Sequence, residues 1–166
     1  LTTHGLAGHL AGYEMVPRLL ADLEPVRLLA TRPADPVQRA AVNALLVERN
    51  AGLQSSDIYI MDMTGETIAA SNHMRRDTFV GQNFSYRPYF SLAALGDQAR
   101  FYALGTTSGV RGYYFSAPVR GHAGRIAAVI AVKIGLDAVE ASWRGGDFRI
   151  FVTDPEGIVF MSSEPE

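Results

Sequence analysis

The chain has 166 residues, 48% of them hydrophobic and 19% charged, enough apolar material to bury one core of ordinary size. A formal charge of −2 argues against a nucleic-acid partner, because such domains carry a basic excess, and the absence of cysteine excludes disulfides and thiolate metal sites. No apolar run reaches the roughly 18–20 residues of a membrane-spanning helix, and a start at Leu1 in place of Met reads as a cut fragment, a reading that leaves room for flanking membrane helices.

Residues 1–30 are rich in Leu and Ala but interrupted by Gly5, Gly8, Gly12, Pro17 and Pro25, so a helix there is expected to kink or start late. From Asp35 the signals are clearer. Asp35 can cap, Pro36 suits the first helical position, Gly52 follows the last turn, and Val37, Ala41, Ala44 and Leu45 share a face. A long helical arm ending near Ala51 is expected. The period then becomes that of strands: residues 57–63 and 66–71 flank Thr64-Gly65 as a hairpin. After a polar loop, Pro88 opens a short helix ending near Gly96, and strands follow over 101–104, 112–119 and 125–134. The order predicts an α+β fold with a five-stranded antiparallel sheet.

One internal echo stands out. IYIMDMTGETIAAS at 58–71 aligns without gaps to IFVTDPEGIVFMSS at 150–163, pairing Asp62 with Asp154 and Gly65 with Gly157. Either two hairpins share the same turn chemistry, or residues 146–166 begin a second module joined by a helix over 135–144. The organisation read from the chain is a helical arm over 1–53, a ligand-binding module over 54–135, and a connecting helix with the first hairpin of an incomplete module over 136–166.

Charge is concentrated. Residues 72–125 hold seven arginines against only Asp77 and Asp97, with Tyr86, Tyr89, Tyr102, Tyr113 and Tyr114 in the same window. Guanidinium groups recognise carboxylates in bidentate fashion and phenols add hydrogen bonds, so a small organic anion is the economical ligand; a solvated arginine face with half-buried tyrosines is the plain alternative. Lys133 is the sole lysine, within the apolar strand AAVIAVKI, and alternation puts it with Ala127, Val129 and Ala131 on the less bulky face. A ligand, an ion pair or snorkelling to water would each satisfy it. Gly105 to Gly109, GTTSG, offers three hydroxyls and two permissive glycines, either as part of an anion site or as a plain turn.

Catalysis has little to work with. His4, His9, His73 and His122 lack metal-ligand spacing, no Gly-x-Ser-x-Gly elbow occurs, and Asp62 and Asp154 read as turn residues. No enzymatic activity, metal or cofactor is expected of the chain.

IYIMDMTGETIAASN, NFSYRPYF, RFYALGTTSGVRGYYFSAPV and the Lys133 strand together resemble the periplasmic sensor region of DctB-type sensor histidine kinases for C4-dicarboxylates, from about residue 15 to the C-terminus, with 83–119 the most specific block. The resemblance implies a double Cache (tandem PAS-like) sensor of a two-component system: a long N-terminal helix, a membrane-distal module binding succinate, fumarate or malate, and a smaller membrane-proximal module. It also implies a periplasmic location and a membrane-anchored parent, with the arm a candidate for pairing two chains. It assigns Arg87 to one ligand carboxylate, Lys133 to the other, hydroxyl donation to Thr106, Thr107 and Ser108, and the walls to Tyr86, Tyr89 and Tyr113, with Tyr114 as the alternative to Tyr113. The chain departs from the family at its end, where only the first hairpin of the proximal module is recognisable. The alternatives are a sensor module of a chemoreceptor or cyclic-dinucleotide enzyme for another organic anion, and a dimerisation or interaction module, since Arg and Tyr also favour interfaces.

Overall fold

The computed structural model describes residues 10–106, 109, 111–137, 140, 149, 151–153, 157 and 159–162. The helical arm is divided. Residues 10–14 are helical, and α1 (Val16–Ala21), α2 (Glu24–Thr31) and α3 (Pro36–Leu53) follow. Each of the three begins with a proline in its first turn, where the missing N–H costs nothing. Pro17 and Pro25 therefore open new helices and do not kink one. Asp35 caps α3 as expected, accepting from the amides of Val37 at 2.9 Å and Gln38 at 3.1 Å. The helix ends one residue past Gly52, at Leu53, with Gln54 in the left-handed conformation.

The face of α3 that packs inward differs from the expected one. Val42, Asn43 and Leu46 are buried, whereas Val37 is 76% exposed and Ala41 and Ala44 face water. Asn43 is the reason. Its carboxamide oxygen accepts the Ala70 amide at 2.9 Å, so a polar residue occupies a core position and rotates the apparent stripe. A binary reading of polarity counts that position as outside.

The sheet runs β2-β1-β5-β4-β3, antiparallel throughout, from β1 (Asp57–Asp62), β2 (Thr67–Ala70), β3 (Ala99–Leu104), β4 (Arg111–Arg120) and β5 (Ile126–Gly135). The β1–β2 turn is built by Asp62, whose carboxylate accepts from the Thr64 amide and hydroxyl and the Glu66 amide, and by Gly65 at φ +85°. A Cβ on Gly65 would lie 2.6 Å from Ser85, so the turn also needs glycine for close approach.

Both sheet faces are covered. α1, α2 and α3 bury Ile58, Ile60, Phe115, Val119, Ile130 and Val132 on one side. On the other, α4 (Pro88–Ala94) and the 72–87 loop bury Tyr59, Met61, Tyr114, Val129 and Ala131. The loop adds a strand-like edge to β2: Thr67 donates to Gln82, Gly81 to Thr67 and Phe84 to Gly65 through their backbones. Ala127 packs with the helical side instead of with Val129, because the β4–β5 register slips between Val119 and Arg120.

The internal echo is structural as well as sequential. β6 (Phe151–Thr153) and β7 (Val159–Ser162) form a hairpin whose pairs Phe151–Ser162, Val152–Met161 and Thr153–Val159 reproduce Tyr59–Ala70, Ile60–Ala69 and Met61–Thr67. The register slip falls at the corresponding step, and Gly157 has the same φ of +85° as Gly65. Asp154 lies outside the described residues.

Candidate ligand-binding site

The cleft lies on the sheet face opposite the helices. Its floor comes from β1 and β4, its roof from the 79–89 segment and its rim from the loop after β3: Tyr59, Phe79, Phe84, Arg87, Tyr89, Gly105, Thr106 and Tyr114 line it. Arg87 stands at the N-cap of α4 in extended conformation, the conformation expected before Pro88. Its Nη2 donates to Thr106 Oγ1 at 3.4 Å, and its guanidinium lies 5.1 Å from the Tyr86 ring centroid. Tyr86 Oη hydrogen-bonds Thr106 Oγ1 at 2.7 Å. Helix start and GTTSG loop are thus joined over the cleft. Only about 10 Å³ of cavity remains beneath them, room for about one water.

The floor is aromatic and fixed. Tyr89 and Tyr59 share a hydroxyl–hydroxyl bond of 2.6 Å, and Tyr89 stacks on Tyr114 at 4.9 Å with 6° between planes. Tyr59 also meets Phe79 edge-on at 5.1 Å. Burial pushes the Tyr59 and Tyr89 phenols up, and Tyr114 up to about 12, so all three remain neutral hydrogen-bonding groups near neutral pH.

Lys133 is on the same face, 1% exposed, paired across the sheet with Tyr114 on one side and Asp57 on the other. Its Nζ is 5.9 Å from the Tyr114 ring centroid. The stem crosses Gly112, where a Cβ would come within 2.7 Å of Lys133 Cε. The glycine of Gly-Tyr-Tyr is what lets a lysine lie flat there. Burial lowers the Lys133 pKa, and Asp57 opposes that shift. Asp57, itself 3% exposed, is pushed up to about 6 by burial, against the pull of Arg75 and Lys133. Arg75 Nη1 donates to Asp57 Oδ1 at 3.2 Å and grips the exposed Asp77 through Nε at 2.9 Å and through Nη2.

The structure therefore brings together Arg87, Thr106, Tyr86 and Tyr89 at the cleft, with Lys133 behind Tyr114. Thr107 and Ser108 lie outside the described residues. Tyr113 is a correction. Its ring packs with Phe115 at 5.1 Å on the helix-covered face, and Tyr114 faces the cleft. Strand alternation puts Tyr113 on the same side of β4 as Phe115, Ala117 and Val119, which belong to the helix-covered hydrophobic core. The arginine cluster is also dispersed. Arg120 donates to the Gly124 carbonyl, Arg75 serves Asp57, and Arg111 binds Asp137 Oδ1 at 3.0 Å and Glu140. Two residues escaped the sequence reading: Tyr59, hidden in the apolar run IYIM, and Asp57. A lone acid opening a buried strand, in a chain with a lone strand lysine, was the available signal.

No protein-family model matches the chain. Over 161 residues, 97% of its length, it is 37% identical to the C4-dicarboxylate transport sensor protein DctB of Pseudomonas aeruginosa, and over 150 residues, 90% of its length, 34% identical to that of Rhizobium meliloti. The solved DctB sensor domain of Vibrio cholerae superposes with a TM-score of 0.90 at 38% identity, over 99% of this chain. The chain belongs to the DctB sensor-domain family. It spans 26% and 24% of the two full-length relatives and 63% of the solved domain. The superposition takes in the five-stranded sheet and the helices packed on its face.

Proposed function

We propose that the chain is the periplasmic ligand-sensing part of a C4-dicarboxylate sensor histidine kinase of the DctB family, and that it binds a dicarboxylate between Arg87 and Lys133. The observation that carries the reading is one cleft with a guanidinium at its mouth and a buried ammonium beyond Tyr114, on a single sheet face. Two cations at separate positions fit a ligand with a carboxylate at each end. Tyr86, Tyr89, Tyr114 and Thr106 supply walls and hydroxyls; Thr107 and Ser108, next in sequence, complete the proposed set. The chain itself only binds, and phosphoryl chemistry belongs to the rest of the parent.

With about 10 Å³ free, a four-carbon diacid enters only if the Tyr86–Thr106 and Arg87–Thr106 contacts part, so binding remodels the 79–90 segment and the loop after β3. Arg111 follows that loop directly and holds Glu140, whose Oε1 accepts the Ser162 amide of the second hairpin at 2.7 Å. A movement of the loop is thereby passed to the hairpin of β6 and β7. Hydrogen exchange with saturating succinate tests the reading. Slowed exchange concentrated in 79–90 supports it, and exchange unchanged throughout that segment overturns it.

A further inference from the structure

Asp57 has no part in the ligand contacts above, yet it is a buried carboxylate on the strand beside Lys133 and acts on the ammonium that those contacts need. Cross-strand pairing sets it opposite Lys133. Around it, β5 presents Lys133, the loop after β2 presents Arg75 and Asp77, and β4 presents Tyr114, while Asp137 beyond β5 also acts on Lys133. Lys133, Asp57, Arg75 and Asp77 alternate in sign from the interior to the surface, where the Asp77 side chain is 40% exposed. These four charges balance. A ligand carboxylate arriving at Lys133 adds a fifth charge among buried groups, and of the carboxylates that act on Lys133 the buried one is Asp57.

We propose that Asp57 is the internal counter-ion of Lys133 and that a dicarboxylate engaging Lys133 makes Asp57 take up a proton from solution, so that the domain binds the dianion together with one proton. The inference rests on the proposed dicarboxylate reading and deepens it. Two effects act in the same direction: the ligand takes over part of the Lys133 field that favours ionised Asp57, and its own carboxylate adds a negative charge that disfavours a second one. Asp77 does not substitute, because the hydrogen bond from Arg75 lowers the pKa of its exposed carboxyl. Ionised Asp57 prevails in the free domain near neutral pH, since its pKa is about 6. Affinity should therefore rise as pH falls from about 8 toward 6, by up to about tenfold per pH unit, and level off where the free domain already carries the proton.

The test is calorimetric titration of the chain with succinate at pH about 7.5 in phosphate and in Tris, whose ionisation heats differ. The expected result is a buffer-dependent heat equivalent to an uptake approaching one proton, which Asp57→Asn abolishes together with the pH slope. Equal heats in the two buffers, or uptake persisting in Asp57→Asn and so belonging to Lys133, overturn the proposal while leaving dicarboxylate binding intact. No heat from succinate in either buffer overturns the binding reading and this proposal with it. Should Asp57→Asn fail to fold, the carbon resonance of the Asp57 carboxyl in the unaltered chain decides: a move toward the protonated shift on adding succinate is expected, and a carboxylate shift at saturation overturns the proposal.

Discussion

The two faces of this sheet are built from the same strands and differ in almost every property. The helix-covered face carries Ile58, Ile60, Phe115, Val119, Ile130 and Val132, aliphatic except for one ring and fully enclosed. The cleft face alternates with it residue by residue and carries Asp57, Tyr59, Tyr114, Ser116 and Lys133, equally buried but polar at the tip. Burial alone does not distinguish them. The first face lowers the free energy of the fold through apolar area; the second spends some of that stability to hold charged and phenolic groups ready for a ligand. Period-2 alternation permits the division, since each strand delivers one set of residues to each side.

Substitutions should separate the faces. Ile130→Ala on the helical face is expected to cost about 2–5 kcal/mol of unfolding free energy, measured by urea denaturation, with succinate affinity unchanged wherever the chain is folded. Asn43→Ala leaves the Ala70 amide without its buried acceptor and should cost about 1–3 kcal/mol in the same assay. The neighbouring tyrosines give the sharpest contrast: Tyr114→Ala should weaken succinate binding about tenfold, about 1.4 kcal/mol by titration, whereas Tyr113→Ala should lower stability and leave affinity alone. Equal effects of the two on binding would break the contrast.

The smallest effect is a pH dependence of stability. The folded pKa of Asp57, about 6, lies above the ordinary aspartate value of 3.8 because the carboxyl is buried. Between those values the native chain binds more protons than the unfolded one, so this group's contribution is present at low pH and is lost as pH rises through about 6. Urea midpoints of the unaltered chain minus those of Asp57→Asn should fall as pH rises from about 4 to 6 and then flatten; a difference that grows with pH would contradict the assigned burial.

Much of this was legible in the sequence, and the failures have physical causes. Pro36 after Asp35, the Asp62-to-Gly65 turn and the three-strand run after α4 are local signals, and each produced its element. Which face of β4 meets the cleft is not local. Tyr113 and Tyr114 are chemically identical, and only the aliphatic company of Tyr113, assembled by packing against helices from the other end of the chain, decides between them. Asn43 misled for a related reason: its partner is the Ala70 amide of a sheet edge, absent from any helical pattern. The arginine cluster overstated the site because Arg75, Arg111 and Arg120 answer to carboxylates and a carbonyl elsewhere, while Arg87 stands at the cleft.

In the proposed function, Arg87 and Lys133 take the two ends of one diacid on the cleft face. The most direct test is calorimetric titration of the chain, Arg87→Ala and Lys133→Ala with succinate and with its neutral diamide. Succinate bound by the unaltered chain, lost in both variants, with the diamide silent throughout, is the predicted result; succinate binding that survives either substitution undiminished would contradict it.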